Sequence, residues 1–193
     1  EMGACPEVQA MKVLDKKTVK DYEALPEGSP YQLIEGELIM SPAPSPEHQR
    51  SSKRLFTKLY SLFEETKRGE VFYAPIDVYL DEENAYQPDI VVVLKDGKAK
   101  LTERGVEGPP DMVIEILSPS TAYYDLTEKK EVYERVGVKE YWIVDPKRKA
   151  IEVYKNTEKG FELYSKVKGS GKVKSSVIPE FEVELKEIFL EVD

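Results

Sequence analysis

Asp89, Glu115 and Lys129 are the residues whose types and places could do chemistry together. Glu115 sits inside Val113-Ile-Glu-Ile-Leu117, an aliphatic run of strand length. An ionised carboxylate in such a run is costly unless it is paired or binds a metal. Alternation along a strand puts Val113, Glu115 and Leu117 on one face. Asp89 opens a second apolar run, Asp89-Ile-Val-Val-Val-Leu94, directly after Gln87-Pro88. If the two runs are neighbouring strands, their carboxylates could share a divalent cation. Magnesium takes hard oxygen ligands, commonly one or two carboxylates, and keeps waters for the rest. Lys129 adds a candidate positive charge, four residues after Asp125 in a predicted helix downstream of Glu115.

Each of these residues also has an ordinary reading. A glutamate near a strand end can reach solvent or pair with a lysine. An aspartate after proline at a strand start is commonly a turn residue. Asp125 and Lys129 can form a helix-surface pair worth about 0.2–0.5 kcal/mol. Lys130 competes with Lys129, and periodicity does not choose between them. What favours chemistry is the pairing: two core strands, each with a carboxylate near one end.

The elements that must position these groups can be read from pattern. Thr18 to Leu25 reads as a short helix capped by Thr18 and ended by Pro26 and Gly28. Tyr31–Ile34 and Glu37–Met40 read as a hairpin around Glu35-Gly36. Ser41-Pro-Ala-Pro-Ser-Pro46 is a rigid loop. The longest helix is expected over about 47–68, because Leu55, Leu59, Leu62 and Phe63 recur at helical spacing. Glu70 to Leu80 reads as one strand, followed by the polar turn Asp81-Glu-Glu-Asn84. The runs at 89–94 and 111–117 are β-branched-rich strands covered on both faces, joined by a polar loop over 95–110. A helix over Asp125 to Val136 stops at Gly137. Strands follow at Glu140–Val144, Ala150–Tyr154 and Phe161–Val167, then a short closing helix at Leu185–Leu190. The expected architecture is one α/β domain over 18–193 with a central mixed β-sheet flanked by helices.

Bulk properties narrow the function. The 193 residues suffice for one domain with a real core. No apolar run approaches the roughly 20 residues of a membrane helix, and no basic-then-apolar leader opens the chain. Residues 1–17 read as an N-terminal extension, in part appended ahead of a natural start at Met11. The single cysteine, Cys5, can form neither an internal disulfide nor a cysteine-rich zinc site. A reducing cytoplasm is the expected location. The net charge of −9 argues against strong general DNA binding, which rests on phosphate neutralisation, but suits a site that gathers divalent cations.

Other residues compete less well. His48, the one histidine, precedes the long helix and reads better as a helix-start polar residue than as a base or ligand. Ser118 and Ser120 have no histidine nearby in sequence, so a serine hydrolase is a poor reading. No phosphate-binding glycine motif of the P-loop or dinucleotide type is present. Tyr141-Trp142-Ile143 reads as a core strand before a base-stacking platform. Lys147-Arg148-Lys149 reads as a solvated turn.

Taken in order, several segments resemble a known family: Tyr31-Gln-Leu-Ile-Glu-Gly-Glu-Leu38, Gln87-Pro-Asp89, Pro110-Asp-Met-Val-Ile-Glu-Ile-Leu-Ser-Pro119, Asp125 with Lys129 and Tyr133, and Gly137-Val-Lys-Glu-Tyr-Trp-Ile-Val-Asp-Pro146. This set is similar to the family named putative restriction endonuclease, a bacterial branch of the PD-(D/E)XK nuclease superfamily. The resemblance spans about residues 18–190. It implies a restriction-endonuclease-like fold and a Mg2+-dependent endonuclease acting on DNA, with Mn2+ as a substitute ion and a homodimer as the working form. It implies that Asp89 and Glu115 are metal ligands and catalytic, that Glu37 is an outer metal ligand, and that Gln87 and Asp125 line the same site. The chain departs from the superfamily pattern at Leu117, where a lysine is usual. The resemblance moves that lysine to the following helix and selects Lys129 over Lys130. The alternative is a catalytically weak nucleic-acid-binding or regulatory module on the same fold.

Overall fold

The computed structural model describes residues 15–191; Cys5 and Met11 lie outside the described residues. The chain runs through α1 (Val19–Glu23), β1 (Tyr31–Ile34), β2 (Glu37–Met40), α2 (Pro46–Phe63), β3 (Gly69–Tyr73), β4 (Val78–Asp81), β5 (Asn84–Tyr86), β6 (Ile90–Leu94), β7 (Lys100–Thr102), β8 (Gly105–Glu107) and β9 (Met112–Ile116). It continues with α3 (Ala122–Leu126), α4 (Glu128–Val136), β10 (Glu140–Asp145), β11 (Ala150–Thr157), β12 (Gly160–Lys168), β13 (Lys172–Lys174), β14 (Glu182–Glu184) and α5 (Leu185–Ile188).

The central sheet has strand order β12-β11-β10-β9-β6-β3. Strands β9 and β10 are parallel, and their crossover carries α3 and α4. The other pairings of this sheet are antiparallel, so it is mixed, as expected. Its central strands are apolar throughout because both faces are covered. On one face Ile90, Val92, Ile114, Ile116 and Trp142 pack with Leu55, Leu59 and Phe63 of α2. On the other, Val91, Val93, Val113 and Tyr141 pack with Val132 and Tyr133 of α4 and with Tyr86 and Val78. Each of these side chains contributes about 1.5–3 kcal/mol when fully buried.

Helix α2 starts where Ser45 accepts a hydrogen bond from the His48 N–H at 3.2 Å, with Pro46 in the first turn. It stops at Phe63, short of the expected 68. There the Arg68 N–H reaches back to Phe63 O at 2.8 Å, and Lys67 takes a positive φ. The hairpin turn forms at Glu35-Gly36, both with positive φ, the geometry of tight two-residue turns.

The structure differs from expectation in four further places. The strand expected over 70–80 is two strands in two sheets, divided at Pro75, which has no N–H for a ladder. Ala74 instead donates to Asp89 O at 3.0 Å, which ties the end of β3 to the start of β6. The loop expected over 95–110 contains the hairpin β7/β8, whose three-residue strands are too short to show alternation. A second six-stranded sheet, β2-β1-β5-β4-β8-β7, lies beside the central one. The helix expected over 125–136 is interrupted at Thr127 into α3 and α4.

Candidate active site

Asp89 and Glu115 meet because β6 and β9 are antiparallel neighbours. Ile90 pairs with Ile114, so the next step along the ladder sets Asp89 opposite Glu115. The Asp89 N–H donates to Glu115 Oε1 at 3.2 Å, and the Ile116 N–H donates to Asp89 Oδ2 at 2.7 Å. Period-two alternation sends both carboxylates to the α4 side of the sheet, alongside Val91 and Val113. The crossover helix then delivers Lys129. Its Nζ is ion-paired with Glu115 Oε2 and stands 3.1 Å from Asp125 Oδ1. The Asp125–Lys129 pair survives the break at Thr127, but it is buried rather than on the helix surface.

The surroundings hold these groups rigidly. The Tyr133 hydroxyl donates to Glu115 Oε2 at 2.9 Å, and the Tyr141 hydroxyl donates to Asp125 O at 2.7 Å. Tyr86, Tyr133 and Tyr141 stack edge to face, with centroids 5.5 and 5.1 Å apart. Lys129 Nζ also lies 5.3 Å from the Tyr86 ring centroid. Lys130 points elsewhere, over the Tyr154 ring at 3.7 Å.

The electrostatics are unbalanced. Three carboxylates, from Asp89, Glu115 and Asp125, surround one lysine. Burial pushes the Glu115 carboxyl up to about 8, with the charges of Asp125 and Asp89 adding to the rise and Lys129 opposing it. Burial likewise raises Asp125 to about 6, against the pull of Lys129. Lys129 is raised despite its burial, because Glu115 and Asp125 hold its proton. Among the described residues no three Asp, Glu, His or Cys side chains stand as an open coordination shell. The Lys129 ammonium fills the space between Glu115 and Asp125.

His48 is the residue that sequence reasoning undervalued. The first turn of α2 brings its Nε2 to 3.2 Å from Asp89 Oδ1. Burial lowers its pKa, but the hydrogen bond and charge of Asp89, with Asp125 and the Ile116 backbone, raise it overall. No local signal could have shown this, since only the packing of α2 against β9 sets His48 near Asp89. Gln32 was also missed. It is buried and accepts from the Gln87 N–H at 2.8 Å, which steadies the Gln87-Pro88-Asp89 approach.

Two expected site residues are not brought in. The Gln87 side chain is committed to Tyr22 Oη at 3.3 Å and Asp77 Oδ1 at 3.1 Å. Glu37 is exposed and lines a surface cleft of about 570 Å³ with Glu35, Glu128, Glu131 and Arg135, whose walls include neither Asp89 nor Glu115. The hairpin turn points Glu37 to that cleft rather than to the end of β6. Ser118 is engaged with Thr121 at 2.6 Å, as a turn residue.

The sequence profile of the family described as Putative restriction endonuclease (Uma2) matches residues 19–186. The chain belongs to this family. The Uma2 match covers α1 through the first half of α5, including every residue of the cluster. An uncharacterised protein of Synechocystis sp. strain PCC 6803 is 26% identical over 116 residues, which is 59% of this chain. The chain spans about 65% of the length of that curated relative. A crystal structure described as a putative nuclease belonging to DUF820, from Anabaena variabilis, superposes with a TM-score of 0.74 at 23% identity. It covers 89% of this chain and 97% of its own. The nuclease-like mixed α/β fold is thus shared with a solved structure. No described helix is long and apolar enough to cross a membrane.

Proposed function

We propose that this Uma2 chain is a metal-dependent nuclease that hydrolyses phosphodiester bonds in DNA, with Mg2+ as its ion. The observation that carries this reading is the surplus of carboxyl groups over cations: Asp89 and the buried Glu115 and Asp125, against Lys129 and a histidine, His48, on Asp89. A stable fold rarely buries like charges without a compensating cation. The donors fit a hard divalent ion, since they are carboxylate oxygens at the ends of adjacent strands. Asp89 and Glu115 would hold the ion, with Asp125 beside them; Glu37 has no part in this reading.

A bound divalent ion supplies Lewis-acid neutralisation of the scissile phosphate and a more acidic water. The chain's own residues do the rest. Lys129 offers a fixed positive charge where negative charge builds on the phosphate. Tyr133 and the Asp89 N–H orient Glu115 from both oxygens. The tyrosine stack keeps bulk water from the buried side of the cluster. Cutting both strands of a duplex needs two sites, so the reading extends to a homodimer, to be checked by analytical ultracentrifugation.

The test is cleavage of labelled duplex and single-stranded DNA in Mg2+ or Mn2+. Wild type cuts and Asp89→Ala is slower by on the order of 10²–10³. An Asp89→Ala protein that cuts as well as wild type ends this assignment. A second reading, a nucleic-acid-binding or regulatory module, is favoured by the net charge of −9 and by the existing Lys129–Glu115 pair. Titration calorimetry separates the two. Divalent-ion binding that disappears in Glu115→Ala supports the nuclease, and absence of binding supports the module.

A further inference from the structure

Tyr73 is the last residue of β3, the edge strand of the central sheet. It pairs with Ile90, and the next backbone N–H, that of Ala74, donates to Asp89 O at 3.0 Å. The edge of the sheet therefore ends beside the candidate site. Directly paired residues share a face of the sheet, so Tyr73 leans to the α2 side with Ile90. There its ring meets Phe56 edge to face at 5.0 Å, and Phe56 lies 6.1 Å from Tyr60. Phe56 is half-buried, but Tyr73 is 63% exposed and Tyr60 44%. The two tyrosines offer open aromatic surface braced by a third ring.

Helix α2 gives this patch a charge of its own. In a chain of net charge −9, the helix carries Arg50, Lys53, Arg54 and Lys58 against Glu47 alone. Arg54 is spent on the carbonyls of Ile188 and Leu190, and Lys58 on Glu187. Arg50 and Lys53 are exposed and form no ion pair among the described residues. Lys53, Phe56 and Tyr60 follow one another at steps of three and four, so they make one stripe on the helix. His48, which touches Asp89, precedes Phe56 by two turns, about 12 Å along the axis. Cations and open rings thus flank the approach to Asp89 from the α2 side.

The chemistry of the patch selects its ligand. So acidic a chain gains little affinity from phosphate neutralisation over its surface as a whole. Stacking on aromatic rings needs no net charge and accepts every base, because each has a π-face. In a duplex those faces are covered by neighbouring bases, so only an unpaired strand can use the rings. We propose that Tyr73 and Tyr60, with Lys53 and Arg50, form a docking surface for unpaired DNA that leads to Asp89. The proposal rests on the nuclease reading for the class of ligand and goes beyond it in the state of the strand.

The test is fluorescence anisotropy with a labelled oligothymidylate and a duplex of the same length, in chelator so that nothing is cut. Wild type binds the single strand more tightly than the duplex. Tyr73→Leu keeps an apolar side chain on Phe56 but removes the stacking face. It weakens single-strand binding by on the order of tenfold and leaves duplex binding unchanged, whereas Tyr73→Phe binds as wild type does. Tyr164→Ala, at an exposed tyrosine on the opposite edge strand β12, changes neither affinity. Unchanged single-strand affinity in Tyr73→Leu overturns the proposal, as does an equal loss for strand and duplex. A wild-type dimer that Tyr73→Leu dissociates without change in strand affinity assigns the patch to a second copy and overturns it too. A wild type that binds no single strand yet cuts duplex in Mg2+ ends this proposal and leaves the nuclease reading standing. Strand binding that depends on Tyr73, with no cleavage in Mg2+ or Mn2+, supports the docking surface and ends the nuclease reading.

Discussion

At the end of the central sheet where β9 and β10 begin, Asp111 and Glu140 are buried; at the opposite end Glu115 is buried, and Asp89 beside it is partly exposed. Glu140 is surrounded by neutral donors. It accepts from Trp142 Nε1 at 2.6 Å, from the Ser176 N–H at 2.7 Å and hydroxyl at 2.6 Å, and from the Val177 N–H at 3.1 Å. Asp111 accepts from the Leu94 N–H at 2.8 Å and pairs with Lys139 at 2.9 Å. Glu115 instead shares one lysine with Asp125 and faces Asp89. Burial alone therefore does not mark a functional carboxylate. One end of the sheet spends its charges on hydrogen bonds that close the fold, and the other keeps charge that the fold does not neutralise. Functional sites tend to break local rules in this way and to lower stability as they do so.

The largest expected effect is that of Lys129→Met. It leaves Glu115 and Asp125 with no cation, so stability at neutral pH falls by about 3–5 kcal/mol, and cleavage slows by on the order of 10²–10³. Urea melts and single-turnover cleavage on the folded fraction read the two effects separately. Full activity in that variant would remove Lys129 from the mechanism.

Next come the two glutamates compared directly. Glu140→Ala strands three or more donors and is expected to cost about 3 kcal/mol, with cleavage per folded molecule unchanged. Glu115→Gln removes one buried like charge while Lys129 keeps Asp125. It is expected to change stability by less than about 1 kcal/mol and to abolish most cleavage. Similar stability losses in both variants would erase the distinction between the two ends.

A smaller effect is the pH dependence of the metal-free protein. The folded-state carboxyl of Glu115 is raised from 4.5 to about 8, and that of Asp125 from 3.8 to about 6. A raised folded-state value means that the folded protein holds protons the unfolded chain has released. The stabilisation from those protons is fully present below the unfolded values and is lost as pH rises through the folded ones. Metal-free wild type is therefore expected to lose melting temperature from about pH 5 to about pH 8, and Glu115→Gln less so. An identical slope in both would assign the dependence to other groups. The smallest effect is that of Lys130→Ala, which gives up a cation–π contact with Tyr154 worth about 0.5–1 kcal/mol. Unchanged cleavage there, beside the loss in Lys129→Met, separates two adjacent lysines that periodicity could not.

The legible part of the molecule was the part with strong pattern. The apolar strands β6 and β9, the leucine spacing of α2 and the glycine that ends α4 were all readable, because a face buried on a regular element imposes its period on the residues. The short strands β5, β7 and β8 were not, since three residues carry no period. Glu115 drew notice as a charge in an aliphatic run. Glu140 opens its strand directly after Lys139 and drew none, although it is as fully buried as Glu115. Their partners lie elsewhere in the chain: Ser176 and Val177 for one, Lys129 and Asp89 for the other.

Sequence by itself determined that two carboxylates would sit in core strands and that a lysine would follow on a helix. Those facts depend on composition and period within short segments. The tertiary structure alone decided that Asp89 stands opposite Glu115, that Glu37 and Gln87 stay outside, and that His48 joins Asp89, and it turns inward the Lys129 that the family resemblance selected over Lys130. Strand order, helix rotation and the path of α2 are set by the summed packing of the whole core. A charge's meaning depends on which other charges that packing brings within a few ångströms.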